Sequence, residues 1–337
     1  MISTTLALAL TVCGTTGADA QQTAIYSNRD LIHPVYSANG MVASQEGLAT
    51  EIGVEVLKNG GNAIDAAVSV AFALAVTLPR AGNLGGGGFM IAHHAESGET
   101  VAIDYREMSG GAAFRDMYLD DQGNADKQKS RFGGLAVGVP GTVAGMALAL
   151  ERYGSISLAD ALAPAIALAE QGIEVNPDLS DSLKGLSKRL QKWPASTAIF
   201  YKEGGVAFEP GETLVQSDLA ASMKLIAENG PSAFYEGPIA EKIVAAVEAA
   251  GGHLTMDDFK NYEVKLREPV RGTYRGYEIT SMPPPSSGGI HIVQILNTLE
   301  GLPMGFLGHN SADSIHMMAE AMKYAYADRS EYLGDPD

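Results

Sequence analysis

The chain has 337 residues, 46% of them hydrophobic, enough for a large core and too apolar for a disordered polymer. Its 23 basic and 40 acidic side chains give a formal net charge of -17. That balance argues against nucleic acid or an anionic membrane surface as partner, since both reward clustered Lys and Arg; it leaves room for one small anion held by a single Arg. Residues 1–20, "MISTTLALALTVCGTTGADA", join an apolar stretch to an Ala18-x-Ala20 ending and are expected to be a signal peptide. A mature chain of residues 21–337 would then be periplasmic or secreted. It would contain no cysteine, because Cys13 is the only one. The apolar segment 63–78 carries Asp65 and is short for a bilayer crossing, so no stable membrane span is expected.

In chain order, "GMVASQ" (40–45) alternates like a strand, and a helix follows over about 46–58, closed by Asn59-Gly60-Gly61. Asn62 and Asp65 form a capping box for a second helix, "AIDAAVSVAFALAVT", apolar around most of its circumference and stopped at Leu78-Pro79. Two strand-like runs, 87–94 and 98–107, read as a hairpin. Beyond Pro140 the pattern turns helical: "GTVAGMALALERYG", a segment boxed by Ser157 and Asp160 with Pro164 tolerable only near its first turn or at a kink, a polar helix opened by Asn176-Pro177, then 217–230 and 237–252. Thr255 and Asp258 cap one more short turn. Residues 267–282 read as a second hairpin around "YRGY". "PPPSSGG" then leads into a helix over about 290–300, and Asn310 with Asp313 is expected to cap the last helix. Without a repeat or linker, the mature part reads as one domain with a helical insertion at about 140–262.

Familiar catalytic constellations are missing. "AGNLGGGGFM" (81–90) lacks the Gly-Lys-Ser/Thr ending of a phosphate loop, and its order of helix, glycines, strand reverses that of a dinucleotide site, so the glycines read as a tight or closely packed backbone. Gly-x-Ser-x-Gly is absent, and Ser286-Ser287 reads as a turn. His93 and His94 point to opposite faces of a strand, and "DDQGNAD" (120–126) lacks a calcium loop, so neither metal nor cofactor is expected. The residue with chemical promise is Arg106 in "AIDYREMSGG", at the end of an apolar strand where an unpaired guanidinium is costly. It either pairs with Asp104 or Glu107, or accepts a substrate carboxylate in a bidentate fork with Glu107 orienting it. The residues alone do not choose.

A set of ordered motifs resembles the large subunit of the bacterial gamma-glutamyltranspeptidase (glutathione hydrolase) family: "VLKNGGNAIDAAV" (56–68), "AGNLGGGGFM" (81–90), "DYREMS" (104–109), "GVPGTVAG" (138–145), "LIAENGPSAFYEGPIAEKIV" (225–244), "YRGYEITSMPPPSSGGIHIVQILN" (274–297) and "MAEAMKYAYADRSEYLGDPD" (318–337). The resemblance implies an α+β fold: an αββα sandwich of the N-terminal-nucleophile hydrolase type, completed by a small subunit cut from the same precursor, with a largely helical region in the middle of the chain. The catalytic nucleophile would be the N-terminal Thr of that small subunit, so no catalytic residue is expected in this chain. Arg106 matches the family's arginine for the substrate α-carboxylate, with Glu107 behind it. Expected substrates are glutathione and other γ-glutamyl compounds, with water, amino acids or dipeptides as acceptors. Two alternatives stand beside this reading: a cephalosporin acylase of the glutaryl type in the same family, and a non-catalytic anion-binding or structural subunit.

Overall fold

The computed structural model describes residues 35–337, so the signal-peptide expectation falls outside the described residues. Residues Val42–Asp337 form one unit. The segment read as a strand at 40–45 is irregular at 41–44: it has no strand partner among the described residues, and Val42 instead packs beside α1 (Gly47–Lys58). A Cβ on Gly53 of α1 would lie 2.6 Å from Val70, which shows how closely α1 approaches α2 (Ala63–Thr77). The predicted capping box of α2 is present. Asn62 Oδ1 accepts from Ile64 and Asp65 N–H, and Asp65 Oδ2 accepts from Asn62 N–H at 2.8 Å.

The first hairpin is β1 (Phe89–His94) and β2 (Glu99–Asp104), antiparallel with Met90 opposite Ile103 and Ala92 opposite Val101. These four share one face, and they join a core containing Phe72 and Val76 of α2 and Val143 and Met146 of α3 (Thr142–Tyr153). Alternation places Ile91, Ala102 and Asp104 on the other face.

Between β2 and the next strand of that sheet lies a mostly helical stretch. α4 (Leu158–Gln171) runs past Pro164, which sits in its second turn rather than its first; Ala161, Leu162, Ala165 and Ala169 bury one side of this helix against α2 and its neighbours. β3 (Ile173–Glu174), α5 (Pro177–Leu190), α6 (Pro194–Phe200), β4 (Tyr201–Lys202), β5 (Val206–Ala207) and β6 (Thr213–Leu214) follow, with β3 paired to β6 and β4 to β5. α7 (Ser217–Asn229) packs on α4, and α8 (Ser232–Tyr235), α9 (Pro238–Ala249) and α10 (Met256–Lys260) carry Phe234 and Tyr235, Val247, and Phe259 respectively into the same core. Tyr235 stacks on Tyr262 with ring centroids 5.6 Å apart.

β7 (Lys265–Arg267) then returns beside β2, giving the order β1-β2-β7. The second hairpin, β8 (Val270–Tyr274) and β9 (Tyr277–Ser281), turns through Arg275 and Gly276, both at positive φ as a two-residue hairpin loop requires. α11 (Gly288–Glu300) and α12 (Ala312–Tyr332) pack on each other, and α11 lies against β8. The cap of α12 is Ser311, whose Oγ accepts from Ser314 N–H. The expected Asn310 sits one residue earlier at φ 52, in the turn that precedes it. No helix among the described residues is long and apolar enough to cross a membrane.

Candidate functional site

Beyond the end of β2 the chain is pinned residue by residue. Tyr105 and Gly88 exchange two backbone hydrogen bonds, of 3.1 and 3.2 Å. Arg106 N–H donates to Asp104 Oδ1 at 3.1 Å, and Tyr262 Oη–H donates to the Arg106 carbonyl at 2.9 Å. Met108 and Val139 exchange two more, of 3.1 and 2.7 Å. The backbone of 105–108 is therefore fixed on both edges, while the Arg106 side chain stands exposed at a cavity of about 650 Å³. Glu107, Ser109, Gly85 and His253 line the same cavity.

The glycine-rich motifs sit under this segment. A Cβ on Gly87 would come within 2.4 Å of the Tyr105 carbonyl oxygen, one on Gly141 within 2.0 Å of it, and one on Gly145 within 2.3 Å of the Tyr105 ring. Gly86 O also accepts from Gly141 and Thr142 N–H, at 2.7 and 3.0 Å. The run "AGNLGGGGFM" and the run "GVPGTVAG" are thus two sides of one close packing around Tyr105. Glycine is needed there because the neighbouring backbone occupies the space of a side chain.

Both structural pairings considered for Arg106 are corrected by the geometry. Asp104 is taken by Arg267, whose Nε donates to Asp104 Oδ2 at 2.8 Å; both side chains are largely buried, on the sheet face away from α2. Arg267 also bridges to Asp337, and these two carboxylates hold its guanidinium charged, pushing its pKa up. Glu107 does not pair with Arg106 either. Among the described residues no carboxylate lies within 4.0 Å of the Arg106 guanidinium. A guanidinium with five donors, no acid partner and a fixed backbone is suited to a planar anion such as a carboxylate.

The remaining candidates lie elsewhere. His93 Nδ1 and His94 Nδ1 contact Thr100 and Ser97 hydroxyls, at 2.8 and 3.0 Å, on the exposed hairpin. Ser287 Oγ accepts from Arg329 Nε. Asp120 closes its own turn by accepting from Gln122 and Asn124 N–H. Sequence reasoning missed Arg267, Tyr262 and Asp258, which fix the site across more than a hundred residues; Asp258 Oδ1 accepts from Gly111 N–H at 2.6 Å. No local pattern marks Arg267 or Tyr262; Asp258 reads in sequence only as the capping partner of Thr255, with no sign of its bond to Gly111.

The architecture is of the N-terminal-nucleophile hydrolase αββα type. Over residues 49–337 the chain matches the family model described as Gamma-glutamyltranspeptidase, and it belongs to that family. It is 56% identical to the glutathione hydrolase proenzyme of Escherichia coli (strain K12) over 309 residues, covering 91% of this chain and 53% of that one. The acylase ACY 1 proenzyme of Pseudomonas sp. (strain V22) is 43% identical, with 90% and 55% covered. Among solved structures, gamma-glutamyltranspeptidase of Helicobacter pylori superposes with a TM-score of 0.87 at 47% identity, over 90% of this chain and 86% of that chain. The chain spans about half the length of the curated relatives it matches.

Proposed function

We infer that this chain is the large subunit of an enzyme that cleaves the γ-glutamyl amide bond of glutathione and related γ-glutamyl compounds. The observation carrying this reading is Arg106: an exposed guanidinium without an acid partner among the described residues, on a backbone held from both edges, at the wall of a cavity. It is assigned the α-carboxylate of the γ-glutamyl group. Glu107, the adjacent carboxylate on the same wall, is assigned the lesser part of steering that guanidinium.

The nucleophile is assigned to the N-terminal Thr of a small subunit released from the same precursor. Its hydroxyl oxygen attacks the γ-carbonyl carbon while the hydroxyl proton passes to its own α-amine. That proton then moves to the departing amine, so glutathione yields cysteinylglycine and a γ-glutamyl ester. Water, an amino acid or a dipeptide takes the acyl group and restores the hydroxyl. The grip of Arg106, remote from the scissile bond, sets the register in which this attack is possible. The chemistry requires no cofactor, and the periplasm or the medium is the assigned location.

A glutaryl-type acylase would also present a distal carboxylate to Arg106. The higher identity to the glutathione hydrolase than to the acylase favours the γ-glutamyl substrate. Intact-mass and N-terminal analysis of the purified protein, with a glutathione hydrolysis assay, tests the reading. The expected result is a second, smaller chain beginning with Thr in an active preparation. A single inactive chain would defeat it.

A further inference from the structure

Six cations, Lys129, Arg131, Lys188, Arg189, Lys192 and Lys242, line one groove of about 1240 Å³, and no acidic residue among the described residues lines it. This is unexpected in a chain of net charge -17 with 40 acidic side chains. None of the six is in an ion pair among the described residues, whereas Lys184, Lys202 and Lys224 nearby in sequence are each matched to a Glu. Helix dipoles account for only part of the cluster. Lys188 and Arg189 occupy the last turn of α5, where positive charge is favourable, but Lys242 lies toward the N-terminal end of α9 and gains nothing there. Lys129 and Arg131 come from an irregular loop, and Lys192 lies beyond the end of α5. Lys129 is partly engaged, its Nζ donating to the Leu119 carbonyl at 2.6 Å near Asp120, but the other five have no carboxylate within 4.0 Å among the described residues. Three separate segments therefore bring positive charge to one place, at a cost in mutual repulsion that a bound anion would relieve.

The floor is apolar. Leu135, Ile243 and Val247 form it, Arg189 lies over the Phe132 ring at 4.5 Å from its centroid, and Trp193, 42% exposed, stands at the edge. A cationic rim over an apolar and aromatic floor fits an organic anion with a flat or aliphatic body better than inorganic phosphate. The groove is distinct from the Arg106 cavity, although Gly134, Leu135 and Val137 line both.

We propose that this groove is a second binding site, for a small organic acid of two or more negative charges carried on an aromatic or aliphatic body. It goes beyond the γ-glutamyl reading and does not depend on it. The geometry also supplies the probe, because Trp193 is the single tryptophan of the chain. The test is a titration of the assembled protein with bis-anilinonaphthalene disulfonate, a fluorescent aromatic dianion, read by energy transfer from tryptophan. Subtracting the Trp193→Phe protein isolates the groove signal. The expected result is saturable transfer from Trp193 that weakens as salt is raised. In Lys188→Glu/Lys192→Glu/Lys242→Glu the affinity should fall at least about tenfold, the product of three modest exposed charge contacts. Single Lys→Gln replacements, each expected to weaken binding by about two- to fivefold, serve if the triple variant does not fold. Benzenetricarboxylate should displace the dye. Absence of Trp193 transfer, or unchanged affinity in the charge variants, would overturn the proposal. Displacement by a Glu-rich peptide but not by benzenetricarboxylate would overturn it in favour of a peptide groove.

Discussion

Asp104 holds two arginines in different ways: its Oδ2 accepts from the Arg267 side chain at 2.8 Å, and its Oδ1 accepts from the Arg106 backbone N–H at 3.1 Å. The carboxylate is 6% exposed. It therefore pairs with the Arg267 side chain and lends Arg106 its position. The two roles make Arg267 a positioning residue for a cavity it does not line.

Replacing Arg267 with Met should leave Asp104 buried without its counter-charge. Breaking a buried pair from one side costs about 3–5 kcal/mol, so a large fall in Tm is expected. Surviving enzyme should show a raised KM for the γ-glutamyl donor with a smaller change in kcat, because the anchor of Arg106 loosens. Arg267→Lys should recover part of both losses. A variant with normal Tm and normal KM would remove Arg267 from this account.

The glycines beneath Tyr105 make a sharper pair. Gly87→Ala drives a Cβ into the Tyr105 carbonyl, at 2.4 Å, and is expected to cost about 1–3 kcal/mol. At Gly85 a Cβ meets nothing within 4 Å and φ is not positive, so Gly85→Ala should stay within about 0.5 kcal/mol of the parent. Thermal unfolding of both, with and without millimolar phosphate, checks the reading. Equal destabilisation would defeat the packing argument, and a phosphate-dependent Tm that either substitution abolishes would reopen the phosphate loop.

Asp65 predicts a pH dependence. Burial pushes its carboxyl up, but hydrogen bonds from Ser155 Oγ and from the N–H groups of Asn62, Ser155 and Ile156 outweigh it and hold the pKa below 3.8. A depressed folded-state pKa means the stabilisation is fully present above the unfolded value, about 3.9, and is lost as pH falls through the folded one. Asp65→Asn should cost about 2 kcal/mol or more at neutral pH, and the gap in Tm to the parent should close as pH falls below about 4. A gap that stays constant with pH would contradict it.

Local chemistry was readable where it is written in neighbouring residues. The capping boxes at Asn62, Ser157 and Thr255 and the two-residue turn at Arg275-Gly276 all stand where the pattern puts them. Two local readings failed, one because a neighbour competes and one for want of a pairing strand. Ser311 caps α12 in place of Asn310, and residues 40–45 alternate like a strand yet find no partner strand among the described residues. Arg106 was conspicuous as a charge ending an apolar strand. Its freedom from Asp104 was not, because the competitor, Arg267, lies 163 residues away in sequence. The same holds for the Tyr262 hydroxyl on the Arg106 carbonyl: pairing across the sheet, rather than any motif, brings these groups together. The six-cation groove was invisible for the same reason, being assembled from three segments in a chain whose overall charge is strongly negative.

The claim that Arg106 grips the α-carboxylate is tested most directly by removing each partner in turn. The measurement is kcat/KM of the matured protein and of Arg106→Ala on a γ-glutamyl anilide and on the γ-aminobutyryl anilide, which lacks only the α-carboxylate. The native protein should prefer the γ-glutamyl substrate by roughly a hundredfold or more, and Arg106→Ala should lose most of that preference while keeping its subunit cleavage and its rate on the truncated substrate. If Arg106→Ala slows both substrates by the same factor, so that the preference survives intact, the carboxylate is held elsewhere and the assignment is wrong.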